Sequence, residues 1–130
     1  MVDPSRLYII AAVDDDPRIL ESLESLLEAA GYKALLFSSA TELLDSGCLA
    51  DVDCLISDIG MPLMDGFELS QRARASRPEL PIILITGHAQ IQDQSSRSDP
   101  RFQMFRKPFN GEDLLVAIRR AVRDLKSPES

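Results

Sequence analysis

Three carboxylates stand side by side in residues 11–17, "AAVDDDP", directly after an apolar run. Asp58, at the end of the run "DCLISD", is a fourth; Thr86 ends "PIILIT", and Lys107 follows "FQMFR". Neighbouring like charges repel unless a cation sits among them. Magnesium takes about six oxygens, accepts one or two carboxylates and keeps several waters. Asp15 and Asp58 can ligate such an ion directly, and Asp14 can hold a coordinated water. A backbone carbonyl just past Asp58 can supply another oxygen. The remaining positions are then open to water or a phosphoryl group.

A magnesium ion at a carboxylate invites phosphoryl chemistry. Asp58 would be the nucleophile and an aspartyl phosphate the product. Charge on the transferring oxygens must be balanced. The Lys107 ammonium and the Thr86 hydroxyl are the groups able to share that task with the metal. Pro108 restricts the backbone of Lys107 to extended conformations, which helps aim the side chain.

These residues meet only if the elements carrying them end on one edge. "LYIIAAV" at 7–13, "KALLF", "DCLIS", "PIILIT" and "FQMFR" read as five strands, the first, third and fourth buried on both faces. Between them, Ile19, Leu20, Leu23, Leu26, Leu27 and Ala30 recur at helical spacing, with Asp16 as cap, Pro17 at the first helical position and Gly31 as terminator. Ser39 and Glu42 predict a capping box for a short helix ending near Gly47. A helix is expected over Phe67–Ser76, preceded by an Asp65–Gly66 turn. Asn110 opens a last helix whose stripe is Leu114, Leu115, Ile118, Ala121, Val122 and Leu125. The segment "GHAQIQDQSSRSDPR" has one strong apolar residue, Ile91, and predicts a short, poor helix. Strands alternating with helices imply a doubly wound α/β fold, a parallel sheet with helices on both faces. In such sheets the functional crevice lies beyond the carboxyl ends of the strands, where Asp14, Asp15, Asp16, Asp58, Thr86 and Lys107 would all arrive.

Composition narrows the function further. The chain has 130 residues and a net charge of −7. One domain is expected, over residues 1–126, with 127–130 as a polar tail. A chain of this size buries roughly two-thirds of its unfolded surface, enough for one core without disulfides. The acidity argues against direct nucleic-acid or anionic-membrane contact. Cys48, Cys54 and the single His88 form no zinc pattern. The first residues do not read as a signal peptide and no window is apolar enough to cross a bilayer, so a cytoplasmic setting is expected.

The four pieces "VDDD" (13–16), "SDIGMPLMDGFEL" (57–69), "LITG" (84–87) and "KPF" (107–109), in this order and spacing, resemble the response-regulator receiver domain of two-component signalling. The resemblance covers nearly the whole chain and implies a flavodoxin-like sheet of order 2-1-3-4-5. It implies that Asp58 accepts a phosphoryl group from a phosphohistidine on a sensor histidine kinase or phosphotransfer protein. Asp14, Asp15, Asp58 and the Gly60 carbonyl match the magnesium ligands, and Thr86 and Lys107 the switch hydroxyl and the lysine. Phosphorylation in the family alters the face made by the fourth helix, fifth strand and fifth helix, through which a homodimer can form. Such a domain is a regulatory phospho-acceptor that catalyses only its own phosphoryl transfer and dephosphorylation. One departure falls in the output region: Met104 stands where the family has an aromatic residue. Phe102 and Phe105 flank it, and both are expected to face away. Thr86, Met104 and Phe105 are thus the switch positions. Gly60 and His88, two residues after Asp58 and Thr86, match positions that tune phosphate lifetime.

Taken singly, each residue has an ordinary explanation. Asp14–Asp16 would be a solvated turn and helix cap, Asp58 a strand end, Thr86 a β-former, Lys107 an exposed lysine and His88 a surface residue. Their common register favours the site for all except Asp16, which stays a cap, and His88. Two rival functions follow. A haloacid-dehalogenase-like phosphatase also uses an aspartate nucleophile on a parallel sheet, but expects a second aspartate where Gly60 stands. A receiver fold could also serve as a fixed interaction module with switching lost. A nucleotide-binding module lacks its glycine-rich fingerprint.

Overall fold

Strands and helices alternate along the chain in a computed structural model, which describes residues 7–61, 64–87, 102–107 and 109–126. The strands are β1 (Ile9–Val13), β2 (Lys33–Phe37), β3 (Cys54–Asp58), β4 (Ile82–Thr86) and β5 (Phe102–Arg106). They form one sheet in the order β2-β1-β3-β4-β5, with every neighbouring pair parallel. This is the expected doubly wound order. Among the described residues, the α-helices are α1 (Pro17–Ala29), α2 (Ala40–Ser46), α3 (Gly66–Ser76) and a last helix, Gly111–Lys126.

Both faces of the sheet are covered, and the strand pleat shows how. Ile10 and Ala12 of β1, Cys54 and Ile56 of β3, and Ile83 and Ile85 of β4 join Leu23 and Leu27 of α1 and Leu114, Ile118 and Val122 of the last helix in one cluster. The alternate residues, Ala11 and Val13, Leu55, and Ile82 and Leu84, join Ala40 and Leu43 of α2 and Leu69 and Ala73 of α3 in the other. β3 and β4 are buried along their whole length, which explains their unbroken apolar spelling. Each fully buried leucine contributes about 1.5–3 kcal/mol of transfer free energy.

The ends of the elements are set by local chemistry. The Asp16 carboxylate accepts from the Arg18 amide at 2.9 Å and caps α1, with Pro17 at its first position. The chain leaves α1 through Gly31 and α2 through Gly47, both in the left-handed region at φ 93° and 77°. The capping box at α2 forms in shifted register. The Ser39 hydroxyl accepts from the Glu42 amide at 3.1 Å, but the Glu42 carboxylate accepts from the amide of Ser38 rather than that of Ser39. β1 begins at Ile9 rather than Leu7, which is 54% exposed.

One expectation about β5 needs correction. Phe105 packs against the cluster on the α1 side and Met104 against the cluster on the α3 side, so these two do face apart. Phe102 lies two residues from Met104, and strand side chains alternate with period two, so alternation could never have separated that pair. The weak helix expected within 87–101, His88, Pro108 and the tail 127–130 lie outside the described residues. Among the described residues, no helix is long and apolar enough to cross a membrane.

Candidate functional site

Parallel register brings the strand ends to one edge. Val13 pairs with Ser57, Asp58 with Ile85 and Thr86 with Arg106. Asp14 therefore emerges beside Asp58, and Lys107 leaves β5 just past Thr86. The Lys107 amide donates to the Thr86 carbonyl at 2.8 Å, which locks the backbone of the lysine to the end of β4.

Asp14, Asp15 and Asp58 each offer one carboxylate oxygen, and the three atoms lie within 4.8 Å of one another. Asp14 and Asp58 are buried, while Asp15 is exposed. The Lys107 ammonium reaches into this cluster, 3.2 Å from Asp14 Oδ2 and 3.4 Å from Asp58 Oδ1. Burial, the largest influence, and the Asp58 charge push the Asp14 carboxyl above the usual range, against the pull of the Asp16 amide and Lys107. Burial alone would lower the pKa of Lys107, but the charges of Asp14 and Asp58 outweigh it and raise it. One ammonium is thus shared between two acids.

The two Asp14 oxygens have different partners. Its Oδ1 accepts from the Asp16 amide at 2.9 Å. Its Oδ2 is buried and has the Lys107 ammonium 3.2 Å away as its charged partner. A buried acceptor of this kind inside a cluster of three carboxylates fits a divalent cation, which needs oxygens and no donors. The chain also turns sharply just beyond Asp58. The Ile59 carbonyl accepts from both the Met61 and the Gly66 amides, at 3.0 and 3.1 Å, leaving exposed Gly60 at the apex.

The structure therefore brings Asp14, Asp15, Asp58 and Lys107 together. Thr86 ends the adjacent strand fully buried, tied to Lys107 through the backbone. Asp16 stays outside the cluster as the α1 cap. Met104 and Phe105 lie on opposite faces of the edge strand. Two further residues press on Asp58 and were missed in the sequence. The Ser57 hydroxyl, fully buried, donates to the Asp58 carbonyl at 3.1 Å. Gly66 brings the first turn of α3 against that same carbonyl. A lone serine inside an otherwise apolar strand was the available signal, since buried hydroxyls need partners. The sequence marks Gly66 only as part of a turn.

Comparisons with known proteins agree with this geometry. The family described as "Response regulator receiver domain" matches residues 10–119. The chain is 41% identical over 117 residues to the response regulator protein TmoT of Ectopseudomonas mendocina, an alignment covering 88% of this chain and 53% of TmoT. It is 32% identical over 124 residues to the transcriptional regulatory protein FixJ of Bradyrhizobium diazoefficiens, covering 95% of this chain and 59% of FixJ. The chain thus spans little more than half the length of these curated relatives. A receiver domain crystal structure from Clostridium thermocellum superposes with a TM-score of 0.82 at 29% identity, covering 92% of this chain and 98% of that one.

Proposed function

The chain belongs to the response regulator receiver domain family, and from that premise we propose that it is a phospho-acceptor in a histidine-to-aspartate relay, with Asp58 as the acceptor. One observation carries the reading: the Lys107 ammonium lies 3.2 and 3.4 Å from two of three clustered carboxylates. An Asp58 carboxylate oxygen attacks the phosphorus of a phosphohistidine on a sensor kinase or phosphotransfer protein. The new P–O bond forms as the P–N bond breaks, and the imidazole leaves with the bond's electron pair and takes up a proton. Lys107 holds positive charge beside the acceptor, and Thr86, at the neighbouring strand end, is assigned a hydrogen bond to the phosphoryl oxygens. Asp14, Asp15, Asp58 and the Gly60 carbonyl would hold Mg²⁺, which supplies positive charge against those oxygens when bound.

The domain is taken as residues 1–126, working in the cytoplasm as a regulatory protein whose only chemistry is its own phosphorylation and dephosphorylation. Its acidity, at −7, supports assigning it no nucleic-acid contact of its own. Output is assigned to Thr86, Met104, Phe105 and the face of β5 and the last helix, where a homodimer would also form.

Mass measurement after incubation with acetyl phosphate tests this. The expected result is one phosphoryl group per chain, dependent on Mg²⁺ and absent in Asp58→Ala. An adduct that persists in Asp58→Ala, or none at all, rejects the assignment. Met104 supports a second reading, a fixed interaction module, because a half-buried thioether replaces the aromatic residue expected at the output position. Equal partner binding with and without phosphodonor would favour it. The phosphatase alternative needs a carboxylate at position 60, where glycine offers none.

A further inference from the structure

The main-chain carbonyl of Asp58 is gripped from two directions. The Ser57 hydroxyl donates to it at 3.1 Å from inside the sheet. The first residue of α3, Gly66, lies so close that a methyl group added there would stand 2.6 Å from the Asp58 oxygen, 2.9 Å from the Ile59 Cα and 3.1 Å from the Asp58 carbonyl carbon. All three are backbone atoms, which cannot swing aside as a side-chain end can. The Gly66 amide also donates to the Ile59 carbonyl at 3.1 Å, fixing α3 against the turn. Gly111 opens the last helix and differs: a methyl there meets only the end of the Leu26 side chain, at 3.2 Å.

We propose that Ser57 and Gly66 are positioning residues that fix the Asp58 main chain, and through it the angle at which its carboxylate meets Asp14, Asp15 and Lys107. The buried hydroxyl pins the carbonyl from one side. The missing side chain lets the helix rest on it from the other. A shift of that main chain would carry the Asp58 Cα, and its carboxylate with it, away from a cluster whose ligand atoms lie within 4.8 Å of each other. The inference rests on the metal-binding reading of the site, so its test begins with the parent protein.

Magnesium alone is titrated by calorimetry and by NMR into the parent, Asp58→Asn, Ser57→Ala, Gly66→Ala and Val122→Ala. Each is measured well below its unfolding midpoint. Val122, buried in the last helix, reports on general destabilisation. Parent binding that Asp58→Asn loses upholds the metal site itself. On that footing, Gly66→Ala should bind about 10–100-fold more weakly and Ser57→Ala should weaken in the same direction. Both should shift the Asp58 carboxyl carbon resonance before metal is added. Val122→Ala should match the parent in both readouts. Parent-like affinity and resonance in Ser57→Ala or in folded Gly66→Ala overturn the inference while the metal site stands. Should Gly66→Ala fail to fold, Ser57→Ala decides alone. No binding by the parent removes the metal site and the inference together.

Discussion

The Lys107 ammonium stands 3.4 Å from the Asp58 carboxylate, and the same nitrogen is 3.2 Å from Asp14. One ammonium thus serves two buried acids. Lys107→Ala should destabilise the metal-free protein by about 1–3 kcal/mol, because it leaves both carboxylates uncompensated. It should also tighten Mg²⁺ binding, since the metal no longer competes with a fixed positive charge. Urea unfolding in chelator and calorimetry read the two effects. Weaker Mg²⁺ binding would show that the lysine organises the acids instead of competing for them.

Asp14→Asn tests the crowding from the other side. Burial and Asp58 raise the Asp14 pKa, so the folded state disfavours its charge. The neutral isostere should therefore unfold at a higher temperature in chelator. At a hundredfold excess over Kd, Mg²⁺ should stabilise the parent by about 2.7 kcal/mol. Asn should forfeit most of that gain at the same concentration. Thermal melts with and without metal would show the curves crossing, and parallel shifts would exclude Asp14 from the metal site.

The two cysteines should react very differently. Burial first, then the Asp53 charge, push the Cys54 thiol up to about 12, whereas Cys48 is partly exposed. Thiol reagents should label Cys48 in the native protein and Cys54 only on unfolding. The folded pKa lies above the ordinary value of 9.0, so the native state holds its proton more tightly. Stability should then fall as pH rises from about 9 toward 12. Cys54→Ala should flatten this decline without abolishing it, because Tyr32 is raised in the same direction, chiefly by burial. An unchanged slope in the variant would contradict the shift.

Arg77 ties the segment before β3 to the end of α3. Its Nη1 donates to the carbonyls of Val52, Leu49 and Ala50 at 2.6, 3.0 and 3.4 Å. Arg77→Ala should cost about 1–3 kcal/mol by leaving those acceptors short of donors. Arg77→Lys should recover only part of this, since one nitrogen makes all three contacts but the lysine stem is shorter. Denaturant midpoints for the two variants check this, and full rescue by lysine would mean that only the charge matters.

Much of the fold was legible because the chain spells it locally. The runs at β3 and β4 are apolar without interruption, and only a doubly covered strand needs that. Asp16–Pro17 and the glycines at 31 and 47 mark helix boundaries through backbone chemistry that acts within a turn. The acids and Lys107 could be placed together because parallel strands share one carboxyl edge. What escaped depends on contacts between distant backbones. Nothing local tells that Gly66 lacks a side chain to make room for the Asp58 carbonyl, since glycine beside aspartate also spells an ordinary turn. The Glu42 carboxylate takes the Ser38 amide instead of that of Ser39, a choice the capping pattern does not encode.

Parallel pairing has a temporal side as well. The acids arrive on the first and third strands, while their counter-charge follows the fifth. A chain emerging from the ribosome carries its mutually repelling aspartates long before the ammonium that calms them exists. The counter-charge therefore reaches the acidic rim only when the edge strand docks, so completing the sheet and neutralising that rim are one event.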